Sequence, residues 1–160
     1  MITRYKEFVD EVTHISEKIN ARFKAKNWQA ILFLLKHHSH AEILPFYRAA
    51  DICLVTSLHD GMNLVAKEFV SARDDEKGVL ILSQFTGASR ELKDAFIINP
   101  YDIGQTAEAI KRGLEMPLSE QKDRMGRMRT ALKDYNVFRW ASEMIKELAQ
   151  VRLEAQDKKE

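Results

Sequence analysis

The polar chemistry of this chain is concentrated in one run, S-L-H-D-G-M-N-L-V-A-K-E, from Ser57 to Glu68. It follows an apolar stretch of strand length and leads into residues of helical character. Asp60-Gly61 makes a sharp turn, with Gly61 free to take φ > 0 or to let a ligand approach closely. Asn63 can cap the following helix. The amides of Asn63, Leu64 and Val65 then lie free at a helix N-terminus, where hydrogen bonds and the helix dipole both favour a diphosphate. Glu68 lies one turn inside, and its two acceptor oxygens suit a vicinal diol such as a ribose. Asp60, at the tip of the turn, could accept hydrogen bonds from sugar hydroxyls. By spacing alone, a capped helix with an acidic first turn, stabilised by its dipole, explains the same residues equally well.

Other reactive-looking groups carry less. The five histidines (His14, His37, His38, His40 and His59) are densest in H-H-S-H. No acidic or Cys partner stands at ligand spacing, so no metal site is expected. Neither G-x-G-x-x-G nor G-x-x-x-x-G-K-[ST] occurs. Ser83 and Ser89 have no His and Asp pattern beside them and read as turn and cap residues. Met125 and Met128 stand at core helical spacing, and the run Lys122 to Arg129 reads as a solvated face. The single cysteine, Cys53, sits in an apolar run as a small hydrophobe and rules out a disulfide framework.

These residues must be positioned by an ordinary globular domain. The chain has 160 residues and 18.5 kDa, with 45% hydrophobic and 31% charged residues and a formal net charge of +1. Without a basic excess, no nucleic-acid partner is expected. No apolar run approaches the length of a membrane span, and Met1 to Lys6 show no signal-peptide pattern, so a reduced, cytoplasmic setting is expected.

Tyr5, Phe8, Val9, Val12, Ile15 and Ile19 form one helical stripe, closed by Asn20 and the basic stretch Arg22 to Lys26. Trp28 to Leu35 is nearly continuous in apolar residues and reads as a strand covered on both faces. A helix over Glu42 to Ala50 follows, with Pro45 expected in its first turn. Further strands are expected at Asp51 to Ser57, Gly78 to Ser83 and Ala95 to Asn99. Between them come a helix from Asn63 to Arg73, a loop at Asp74 to Lys77, and a loop with a short helix in Gln84 to Lys93. Asp102 should cap a helix with the stripe Ile103, Ala107, Ile110 and Leu114. A helix from Leu118 turns Met125, Met128 and Leu132 inward, and a last one carries Trp140, Ala141, Met144, Ile145 and Leu148. Residues 1–150 form one domain, and the charged end from Arg152 is expected to fray. Four strands alternating with helices imply an α/β, Rossmann-like parallel sheet flanked by helices. Ligands then bind at the carboxyl ends of the strands, on the loops His37 to His40, Leu58 to Asn63 and Gln84 to Ser89.

At this point the run Ser57 to Glu68 resembles the donor-binding signature of the trehalose-6-phosphate synthases, retaining glycosyltransferases of GT-B fold. Y-R-A-A-D-I-C-L-V-T-S (Tyr47 to Ser57), V-L-I-L-S-Q-F-T-G-A (Val79 to Ala88), I-N-P-Y-D (Ile98 to Asp102) and I-N-A-R-F (Ile19 to Phe23) agree with it. The similarity runs in order from about Tyr5 to Leu148. The resemblance implies that Asp60 and Gly61 contact the transferred glucose. It implies that the backbone of Met62, Asn63, Leu64 and Val65 holds the sugar and diphosphate, and that Glu68 grips the ribose. The loop around His38, with Ile43 on the next helix, falls where the family seats the uracil.

His59 stands where the family typically has Arg, which keeps open a related enzyme using glycerol 3-phosphate. The implied donor is UDP-glucose and the implied acceptor glucose 6-phosphate, without any cofactor. The chain corresponds to part of the C-terminal half of a GT-B fold. The acceptor-binding half, and the Arg and Lys that meet the diphosphate, have no counterpart in it, so the chain alone is expected to be inactive. A non-catalytic nucleotide-sugar-binding module is the other reading. The missing half is the expected partner, in the same or a separate subunit. Strand edges left without it make a homo-oligomer the further expectation.

Overall fold

The structure, a computed structural model, describes residues 3–25 and 28–157. Lys26, the end of the expected basic stretch, and residues 158–160 of the expected tail lie outside the described residues. The chain divides into two compact units, Met1–Ser39 and His40–Glu160.

In the first unit the expected helix is present as α1 (Thr3–Arg22). Its stripe is only partly covered: Tyr5, Phe8 and Ile15 are exposed, while Val9, Val12 and Ile19 are half-buried. The expected strand over residues 28–35 does not form. Beyond an isolated antiparallel bridge between Ala25 and Trp28, the segment is irregular. Its fixed point is Asn20. That side-chain amide donates to the Ile31 carbonyl and accepts from the Ile31 N–H, each at 2.8 Å. A side chain thus takes both backbone groups that a neighbouring strand would have taken. Leu32, Phe33, Leu34 and Leu35 are left exposed.

The second unit holds the sheet. Strands β1 (Ile52–Val55), β2 (Val79–Ser83) and β3 (Phe96–Ile98) pair in parallel in the order β1-β2-β3. Ile52 lies opposite Val79, and Ile81 opposite Phe96. Among the described residues the sheet therefore has three strands rather than four. All of β2 is buried, as a central parallel strand with both faces covered should be. Alternate side chains divide the core. Leu80 and Leu82, with Val55, pack against Phe69 and Val70 of α3 (Leu64–Ala72) and Met125 and Met128 of α5 (Leu118–Asp134). Val79 and Ile81, with Ile98, pack against Ala109 of α4 (Ile103–Glu115) and Met116 on the other face. Burying each of the large aliphatic and aromatic side chains contributes roughly 1.5–3 kcal/mol.

Two helices depart from expectation in detail. α2 (His40–Ala49) begins two residues early, so Pro45 falls at its sixth position rather than in its first turn. α4 is capped by Asp102, whose side chain accepts from the Gln105 N–H at 2.8 Å as the sequence implied. Its buried face, however, is Ala109 and Gly113 with Ile110 half-buried, while Ile103 and Leu114 are exposed. A Cβ on Gly113 would lie 3.1 Å from Ile52 Cδ1, so small residues let this helix settle onto the sheet. The last helix, α6 (Val137–Asp157), continues past Arg152, where fraying was expected. Its Phe138, Trp140, Ile145 and Leu148 are exposed. No helix among the described residues is long and apolar enough to cross a membrane.

Arg73, expected only as the end of a helix, caps α3 and also serves α2. It is 5% exposed, and its Nη1 donates to the carbonyls of Tyr47, Arg48 and Ala50 at 3.1, 2.6 and 2.8 Å. Its Nε and Nη2 form a fork with the Asp75 carboxylate. This guanidinium joins the C-terminal ends of α2 and α3, together with Arg48, whose Nε donates to the Ala72 carbonyl at 3.4 Å and whose Nη2 pairs with Asp74.

Candidate functional site

The carboxyl ends of β1 and β2 carry two of the three loops singled out from the sequence, and the backbone joins them. The Asp60 N–H donates to Phe85 O at 3.2 Å, Gly87 N–H to Asp60 O at 3.0 Å and Ala88 N–H to Met62 O at 2.8 Å. The two chains come so close that a Cβ on Gly87 would lie 2.0 Å from Gly61 O. The third loop, residues 37–40, follows no strand. His38 belongs to the first unit, and its Nε2 is buried without a hydrogen-bond partner. Ile43 is half-buried on α2 in the second unit.

Within the first loop the polar groups hold one another. Asp60 Oδ1 accepts from the N–H groups of Met62 and Asn63 at 3.1 and 2.9 Å, and Oδ2 accepts from the Asn63 side-chain amide at 3.0 Å. The Met62 N–H and then the Asn63 amide hold the Asp60 carboxyl below its usual range. Asn63 Oδ1 accepts from the Ala66 N–H at 2.9 Å, the cap that its residue type implied.

The left-handed conformation of the turn falls on Asn63, at φ 67°, and not on Gly61. Gly61 instead fronts open space, with nothing within 4 Å of an added Cβ. The Asn63 N–H, expected free, is taken by Asp60. The N–H groups of Leu64 and Val65 stand outside this network at the start of α3, and those two side chains are exposed, as is that of Met62.

Asn63 therefore does two jobs, in backbone conformation and in capping. Asn63→Ala should lower stability by about 2 kcal/mol, from the lost cap and the left-handed backbone. Urea unfolding checks this. Asn63→Gly should recover the conformational part, and equal losses in both variants would contradict the division.

One turn inside α3, Glu68 opens onto a cleft of about 420 Å³ lined by His40, Leu44, Leu64, Lys67 and Ser71 among others. Glu68 Oε2 accepts from the Tyr47 phenol at 3.1 Å, and Oε1 lies 4.0 Å from His40 Nδ1. Burial, and then the bond to Glu68, push the Tyr47 phenol up to about 12. Lys67 lines the same cleft, and its ammonium donates to both oxygens of Glu91 at 2.9 and 2.8 Å. Sequence reasoning found Glu68 and missed its two neighbours. Tyr47 was visible only as part of the Y-R-A-A-D block, and His40 only as one of a cluster.

Residues 1–150 match the model of glycosyltransferase family 20. The glucosylglycerol-phosphate synthase of Synechocystis sp. is 42% identical over 143 residues, which are 89% of this chain and 29% of that protein. The trehalose-6-phosphate synthase of Klebsiella pneumoniae is 36% identical, over 94% of this chain and 32% of its own length. Among solved structures, the UDP-forming α,α-trehalose-phosphate synthase of Burkholderia xenovorans, in complex with glucose-6-phosphate, is 41% identical with a TM-score of 0.86. It is matched over 92% of this chain and 32% of its own. The chain thus spans about a third of the length of these relatives.

Proposed function

The chain belongs to glycosyltransferase family 20, and on that premise we propose that it is the donor-binding portion of a retaining α,α-trehalose-phosphate synthase. Its donor is UDP-glucose, and its reaction passes the glucose to glucose 6-phosphate. The observation that carries this reading is Glu68, a carboxylate at the mouth of a cleft with Oε2 held by Tyr47. It stands one turn from the exposed start of α3, where the Leu64 and Val65 N–H groups lie.

Each residue then has a role. Glu68 accepts hydrogen bonds from the ribose hydroxyls. The backbone of Met62, Asn63, Leu64 and Val65 meets the sugar and the diphosphate, whose charge the start of α3 favours. Gly61 admits the glucose because no side chain occupies its open face. The Asp60 carboxylate fixes the loop with three acceptances and keeps lone-pair capacity for a sugar hydroxyl. Ile43, on α2, is assigned to the uracil by family resemblance. The partner this reading requires is the remainder of the GT-B fold, in the same chain or a separate subunit. Turnover depends on it, because acceptor binding and the basic clamp on the diphosphate stabilise separate parts of the transition state.

A second acceptor, glycerol 3-phosphate, is favoured by the 42% identity to a glucosylglycerol-phosphate synthase and by His59 beside Asp60. Supplying the remaining part of the fold and comparing the two acceptors separates these. For the donor, Glu68→Ala should weaken UDP binding by about 1.5–3 kcal/mol, the range for hydrogen bonds to a charged group. Calorimetry with UDP reads it. An unchanged dissociation constant in a folded variant overturns the ribose assignment.

A further inference from the structure

We propose that Tyr47 is a positioning residue for Glu68: its phenol O–H holds Oε2 and so presents Oε1 to the diol of a bound nucleotide. The inference rests on the assignment of Glu68 to the ribose and adds a residue to it.

Tyr47 itself is firmly held. Its backbone carbonyl accepts from Arg73 Nη1 at 3.1 Å, within the set of bonds that joins the ends of α2 and α3. Its ring meets the buried Phe69 ring edge to face, with centroids 6.3 Å apart. Phe69 follows Glu68 directly on α3, so the same helix turn that carries the carboxylate also braces the ring. The phenol can then reach Glu68 with little freedom of its own, and it does so at 3.1 Å.

The consequence for the carboxylate is a choice of oxygens. A glutamate on an exposed helix face samples many rotamers, and fixing it on ligand binding costs conformational entropy. Here one oxygen is already engaged during folding, which lowers the ordering cost at binding. The engaged atom is Oε2; Oε1 lies on the His40 side, 4.0 Å from Nδ1. With its titration pushed to about 12, the phenol remains a donor throughout the neutral range. A half-buried phenol needs an acceptor, and here the acceptor is the carboxylate itself.

The test uses the whole chain with two probes, UDP and 2′,3′-dideoxyuridine 5′-diphosphate, which lacks the diol. Calorimetry gives both affinities for the parent, Tyr47→Phe and Glu68→Ala. Tyr47→Phe keeps the ring and removes only the hydroxyl, and a matching melting profile shows that it folds. The expected result is that Tyr47→Phe weakens UDP by about tenfold, equivalent to about 1.4 kcal/mol, and leaves the dideoxy probe unchanged. Glu68→Ala should abolish the preference for the diol. If Tyr47→Phe weakens both probes equally, or neither, while Glu68→Ala still removes the preference, the positioning role is overturned and the ribose assignment stands. If Glu68→Ala leaves the preference intact, or the parent does not bind UDP, the ribose assignment itself falls and takes this inference with it.

Discussion

Arg73→Ala should cost about 4 kcal/mol of unfolding free energy in urea, since it strips three carbonyls of a buried donor at once. The guanidinium is 5% exposed and donates to Tyr47, Arg48 and Ala50 from a single nitrogen. Truncation leaves those carbonyls at the end of α2 without that donor, removes the fork to Asp75, and takes a cation from 6.0 Å above the Phe69 ring. Each such loss is worth about 1–3 kcal/mol in isolation, and they share one geometry, so they do not simply add. A domain of ordinary stability has only about 5–15 kcal/mol in all. Arg73→Lys should recover part of the loss, because an ammonium is a point charge and cannot reproduce the planar fork. A loss below about 1 kcal/mol for Arg73→Ala would mean that Arg48, through the Ala72 carbonyl and Asp74, suffices with the apolar contacts to hold the ends of α2 and α3 together.

The second large effect is expected at Gly87. An added methyl would stand 2.0 Å from the Gly61 carbonyl oxygen and 2.9 Å from its carbon, both backbone atoms. No rotamer change relieves such a clash, so one loop must move. Gly87→Ala should cost about 3 kcal/mol, the upper part of the usual overpacking range, and should abolish binding of UDP-glucose. Gly61→Ala is the matched control, since its Cβ meets nothing within 4 Å. It should change stability by less than about 0.5 kcal/mol, and should weaken UDP-glucose more than UDP if the glucose lies over that face. Thermal unfolding and calorimetry read both. A Gly87→Ala protein of parental stability would show that the two loops part readily.

Much of the sheet could be read directly from the order of residues. The runs that became β1, β2 and β3 are short, rich in branched aliphatics and bounded by turn residues. Asn63 and Asp102 announced their helices by residue type. Residues 28–35 misled for a physical reason. A continuous apolar run reports burial or extension but not a neighbour, and Asn20 satisfies the backbone of Ile31 in place of one. The stripe on α4 misled differently. Ile103 and Leu114 score as core by size, yet the helix rests on Ala109 and Gly113, because close approach selects small residues that hydrophobicity ranks low.

Within the site, Glu68 and the helix start could be inferred from spacing. The contact between Tyr47 and Glu68 could not, since it joins residues on two helices and depends on how those helices pack. Nor could the position of the left-handed residue, which the turn places on Asn63 although a glycine stands two residues before it.

Pro45 gives α2 two unlike ends. Having no N–H, it leaves the Ala41 carbonyl without its intrahelical donor. The break falls between His40, at the cleft, and Tyr47, whose end is pinned by Arg73. Breathing of the helix should therefore be lopsided. Amide exchange should be faster in its first turn than in the turn bearing Tyr47, whose carbonyl Arg73 holds.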